Sequence, residues 1–125
     1  MAKLKHRIPN SCPETEYGEI YIPNDQNLGE GIFTTVLKPN ALSTNKAISS
    51  IVINKPVFQI SVNINPGTKE VPVLLGRADG SNPISKKTFI LPSDIDSSKP
   101  HTLVATFKNW QITSLKLDGV ALIEK

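Results

Sequence analysis

Val57-Phe58-Gln59-Ile60-Ser61-Val62-Asn63-Ile64-Asn65 decides the fold class of this chain. Phe58, Ile60, Val62 and Ile64 alternate strictly with Gln59, Ser61, Asn63 and Asn65. Side chains of an extended strand point to opposite faces in turn, so this spacing predicts one apolar and one polar, hydrogen-bonding face. Pro66-Gly67 then ends the strand. The polar row is the solvent face of an antiparallel sheet, or else a wet surface that reads polar ligands; the first is the simpler reading.

The same period recurs on either side. In His101–Lys108, Leu103, Ala105 and Phe107 share a face, and a turn at Lys108-Asn109 leads into Trp110–Leu117. Leu117-Asp118-Gly119-Val120 places Asp-Gly between apolar runs, the signature of a type I′ hairpin whose central residues take positive φ. Residues 101–125 are therefore expected to form a three-stranded meander. Trp110 and Ile112 fall out of phase with Leu115 and Leu117, which calls for a bulge near Thr113-Ser114. A second hairpin is expected around Ala78-Asp79-Gly80-Ser81, joining Val71–Arg77 to Lys86–Leu91. Further strands are expected at Glu19–Ile22, Ile32–Lys38 and Ala47–Ile53, with loops over 39–45 and 92–100.

Ten prolines and seven glycines in 125 residues leave little room for helices, and no stretch carries a helical apolar stripe. The expectation is an all-β fold: an antiparallel sandwich of about nine strands in a single domain, 17–125, preceded by a poorly ordered segment, 1–16. The hydrophobic fraction of 38% is ordinary for a folded domain.

The formal charge is +3, and Lys3, Lys5 and Arg7 at the start account for it; the remainder is balanced. Nucleic-acid binding needs a concentrated basic face, so no nucleic-acid partner is expected. Cys12 is the one cysteine, which excludes an intrachain disulfide and a cysteine metal cluster. No apolar run is long enough to span a bilayer, and the basic start has no apolar stretch behind it. No membrane association and no secretory signal are expected, and as written the chain reads as cytosolic.

Residues 57–125 resemble the laminin G-like branch of the concanavalin A-like family. The resemblance rests on Phe58–Pro66, on Val73-Leu74-Leu75-Gly76-Arg77-Ala78-Asp79-Gly80, on Pro100-His101-Thr102-Leu103-Val104-Ala105-Thr106-Phe107, and on Ile112 to Gly119 ending in Leu-Asp-Gly. Pro100 stands where that family usually has tryptophan, and the chain is shorter than most members. The resemblance implies a jelly-roll sandwich and a non-catalytic binding module, with carbohydrate as the ligand class. The alternative is a structural or assembly protein that self-associates through sheet edges, with another protein or a second copy as partner.

Candidate chemistry is sparse. Sandwich-fold glycosidases carry paired carboxylates in a motif such as Glu-x-Asp-x-x-Glu, which this chain lacks; Glu14, Glu16 and Glu19 cluster beside a proline-rich terminus. No enzymatic activity and no cofactor are expected. Asp79 with Asn82, and Asp94 with Asp96, offer loop oxygens of the kind calcium prefers, though ordinary turn chemistry uses the same residues, and no metal site is assigned. His101 reads as a structural histidine at a strand end. Trp110 offers an indole face for stacking on a sugar or, as its alternation with Ile112 favours, a plug for the end of the core. Tyr17 and Tyr21 are candidates to join it in an aromatic platform. Trp110, Asp79 and Asn82 are the expected ligand-binding residues.

Overall fold

The computed structural model describes residues 4–8, 15–22, 30–43, 47–54, 57–76 and 85–125. Strands carry the chain throughout: β1 (Leu4–Ile8), β2 (Thr15–Ile22), β3 (Gly31–Leu37), β4 (Ala47–Asn54), β5 (Val57–Asn63), β6 (Glu70–Gly76), β7 (Ser85–Ile90), β8 (His101–Lys108) and β9 (Gln111–Leu117), then two short ones, β10 (Val120–Ala121) and β11 (Ile123–Glu124). A 3₁₀ turn, Ala41–Ser43, follows β3. Among the described residues no helix is long and apolar enough to cross a membrane.

Two antiparallel sheets result. One runs β1-β2-β3-β8-β9-β10 and the other β11-β7-β6-β5-β4. Every paired neighbour in both is antiparallel. The chain lays down β1 to β3, crosses to build β4 to β7 as a meander, then returns so that β8 pairs along the whole length of β3, Gly31 opposite Phe107 through Leu37 opposite His101.

Alternation decides which side of each strand is dry. Ile60 and Val62 on β5, with Ile64 just beyond it, are buried as their period requires. Val71, Val73 and Leu75 do the same on β6, and Leu103, Ala105 and Phe107 on β8. These meet Ile20, Ile22, Phe33, Leu37, Ile112, Leu115 and Leu117 of the first sheet in one cluster. A common cluster fed by both sheets makes the fold a β-sandwich. The Phe58 side chain lies outside the described residues.

The expected bulge is present. Thr106 pairs with Ser114 but Phe107 with Ile112, so Thr113 is the extra residue, and Ile112, Leu115 and Leu117 all reach the core. The bulge also ties the sheets together: the Ile112 N–H donates to Ser85 Oγ of β7 at 3.2 Å, a buried bond. Asp118 and Gly119 have φ of 51° and 88°, as a type I′ turn demands.

Three details differ from the sequence reading. Within the segment assigned to a poorly ordered start, Leu4–Ile8 form an edge strand in register with Gly18–Ile22. The turn between β8 and β9 is Asn109-Trp110, with φ of 53° and 61°, and not Lys108-Asn109, because Lys108 pairs with Gln111. The last strand of the expected meander is split. Val120–Ala121 pair with β9, after which the chain crosses over and Ile123–Glu124 pair with β7 of the opposite sheet. The 78–81 turn lies outside the described residues, but the hairpin it serves is there, Leu75 pairing with Ser85.

Besides Ser85, Lys87 and Thr35 are inward positions among the described residues that are not apolar. Lys87 is in register with buried Val73, which puts it on the core side of β7 next to the sheet margin, and its ammonium reaches Glu124 at 3.4 Å. Thr35 sits between Phe33 and Leu37, fully buried, and its Oγ1 has no hydrogen-bond partner. A buried hydroxyl without a partner keeps its desolvation cost. Thr35→Val, which preserves the shape, should therefore stabilise the fold by about 1 kcal/mol or more in chemical denaturation.

Candidate functional site

The strand directions bring the β8–β9 turn, the start of β3, the end of β6 and the start of β7 to one end of the sandwich. The pairing of Gly31 with Phe107 and the bond from Ile112 to Ser85 fix this arrangement. Trp110 belongs to this end. Its φ of 61° occupies the second central position of a type I′ turn, where glycine is the usual residue and a bulky one is strained. The indole is half-buried and packs against the core. Trp110 thus caps the core while keeping part of its ring accessible. Asp79 and Asn82 lie outside the described residues; Gly76 and Ser85, which flank their segment, sit at this same end. Tyr21 is opposite Ile32 and shares its outward face, whereas the Tyr17 side chain lies outside the described residues.

Beside that turn the outer surface of β3, β8 and β9 is indented by a groove of about 250 Å³, lined by Glu30, Gly31, Ile32, Thr106, Phe107, Lys108 and Thr113. Gly31 is required here. A Cβ at this position would lie 2.6 Å from Ile22 Cδ1, 2.8 Å from Phe107 Cζ and 3.0 Å from the Tyr21 carbonyl oxygen. The Phe107 ring occupies the space that any side chain at 31 would claim, as aromatics do when they cover a glycine across a strand pair. Ile32 is 40% exposed, one of three large apolar residues so placed among those described.

The far wall is polar. The bulge turns Thr113 outward beside Ser114, against Thr106. Thr106 Oγ1 lies 2.7 Å from Thr113 Oγ1 and 2.6 Å from Ser114 Oγ, and Thr113 Oγ1 donates to the Thr106 carbonyl at 3.1 Å. Apolar floor, hydroxyl wall and charged lips at Glu30 and Lys108 make a surface suited to a small, partly polar ring. Thr106, Thr113 and Ser114 were not candidates in the sequence. The phase break that calls for a bulge was the signal that could have found them.

The opposite end holds His101. Its Nδ1 is 2.6 Å from Asp118 Oδ2 and its Nε2 2.7 Å from the Asp96 carbonyl oxygen. Both partners can only accept, so both ring nitrogens must donate and the imidazole is held as the cation. Asp118 also accepts from the Thr102 N–H at 2.9 Å, while its own N–H donates to the Thr102 carbonyl. This network fastens the β9–β10 turn and the 91–100 loop to the start of β8. Burial opposes the charge on His101, but the Asp118 hydrogen bond, the Asp96 carbonyl and the two carboxylate charges outweigh it and raise its pKa. For Asp118 burial likewise works against ionisation, yet the bonds from His101 and Thr102 hold its pKa below the usual range. Asp96 is engaged locally, its Oδ1 accepting from both the N–H and hydroxyl of Ser98. Among the described residues no group of three or more His, Cys, Asp or Glu is placed to hold a metal ion.

Comparison with known protein-family models, curated proteins and solved structures yields no match.

The His101 contribution to stability is complete below the free histidine pKa, about 6.5, and disappears as pH rises through the higher folded value. That of Asp118 is present above the free aspartate pKa, about 3.9, and disappears as pH falls through its lower folded value. Denaturation midpoints should accordingly be highest between these limits and decline above neutrality. Asp118→Asn, which keeps the left-handed turn conformation, should flatten that decline.

Proposed function

We propose that this protein is a non-catalytic binding module of the concanavalin A-like, laminin G-like kind, and that its ligand is carbohydrate. The observation that carries the reading is the groove beside the Asn109-Trp110 turn, where exposed Ile32 lies next to the Thr106 and Thr113 hydroxyls, all on strands rather than loops. Rigid strands hold such a constellation without an ordering cost on binding. The ligand class follows from the resemblance of residues 57–125. Saturable binding on a glycan array is expected, and Ile32→Asp should weaken it at least tenfold without altering the circular dichroism spectrum.

A second reading is favoured by a separate observation. Val120 and Ile123 are 69% and 76% exposed on the two-residue margins β10 and β11. With Leu91, Pro92 and Leu117 they border an apolar groove of about 410 Å³ where the sandwich opens at its edge. A subunit that self-associates there buries these residues. Light scattering separates the two readings. A mass above 13.6 kDa that reverts on Ile123→Lys, together with an empty glycan array, would establish the assembly role instead.

A further inference from the structure

The hydroxyl wall has a definite polarity. Thr113 Oγ1 gives its proton to the Thr106 carbonyl, so in its contact with Thr106 Oγ1 it must accept. Thr106 thereby spends its own proton on Thr113, and Ser114 must donate to Thr106. The chain runs Ser114 to Thr106 to Thr113 to the backbone, and each link polarises the next. All three protons are committed inward. What these residues offer the groove is lone pairs, one each on Thr106 Oγ1 and Thr113 Oγ1, with Ser114 behind them as the donor to Thr106. Glu30 at the lip adds another acceptor.

Resting on the carbohydrate reading above, we infer that the groove is a subsite for one neutral pyranose ring, which lays a C–H face on Ile32 and donates hydroxyl protons to Thr106 and Thr113, the groove-lining end of the Ser114–Thr106–Thr113 chain. A volume of about 250 Å³ is on the scale of a single ring. An acceptor-only ligand such as sulfate would set lone pair against lone pair and is excluded. Donating ring hydroxyls meet the wall with matched polarity, and Lys108 remains at the rim to donate to a ring oxygen.

The inference is tested by titrating the intact chain with methyl glucopyranoside and methyl galactopyranoside, their monodeoxy derivatives, and inorganic sulfate, followed by amide chemical shifts. Expected are saturable shifts at Ile32, Thr106 and Thr113 with a methyl pyranoside, weakening of roughly five- to tenfold when one donating hydroxyl is removed, and no shifts there with sulfate. Thr113→Val, which breaks the chain, should cost as much, while Thr113→Ser, which restores the hydroxyl, should recover affinity to within about twofold. Glycan binding that persists unchanged in Thr113→Val, or that shifts residues elsewhere, overturns the subsite and leaves the binding-module reading standing. No saccharide binding by array or titration overturns both.

Discussion

The structure depends on one exclusion: water must be kept from the space between two facing sheets. Ile20, Phe33, Leu103 and Leu115 press from one side, and Ile60, Val73, Leu75 and Phe89 from the other. With one cysteine no disulfide can substitute for that contact, so burial of apolar surface supplies the stabilisation. The few inward polar groups are consequently informative. Ser85 is justified by its bond to Ile112 at the bulge, and Lys87 escapes to the margin to meet Glu124. Thr35 has no such justification.

Much of this architecture was legible because one face of each strand is dry. Where the core is on one side, period two is enforced residue by residue, as in Ile60, Val62 and Ile64 or Leu103, Ala105 and Phe107. Even the irregularity was readable, since a phase break between Ile112 and Leu115 has only a bulge as its remedy. Legibility fails where no burial constrains the pattern. Leu4–Ile8 lie at an edge, paired on one side alone. Val120 and Ile123 are apolar yet exposed, so their period could not reveal that they belong to different sheets. Trp110 misled for a different reason: a residue rarely found at positive φ occupies a turn position because its ring gains contact with the core.

The candidate site follows the same logic in reverse. Trp110 was selected for its chemistry and the structure keeps it near the groove, but the groove itself is made by residues with no chemical signature in sequence. Gly31 is an absence of side chain, and its meaning depends on Phe107, a partner that only the fold supplies. Thr106, Thr113 and Ser114 are ordinary strand residues until the bulge turns two of them toward the third. Asp79 and Asn82, chosen for their loop, lie outside the described residues, so what they add to this end stays with the expectation from which they came.

The pairing of β3 with β8 joins residues more than sixty positions apart, and the entire β4–β7 meander is enclosed between them. Local hairpins can zip early, but this seam must wait until the intervening chain has compacted enough to bring its ends together. Closure of the first sheet is thereby the late, slow event in the history of each molecule. Until it happens, the inner edge of β3 stands open to any passing strand of another chain, so newly made copies are most vulnerable to mispairing during that interval.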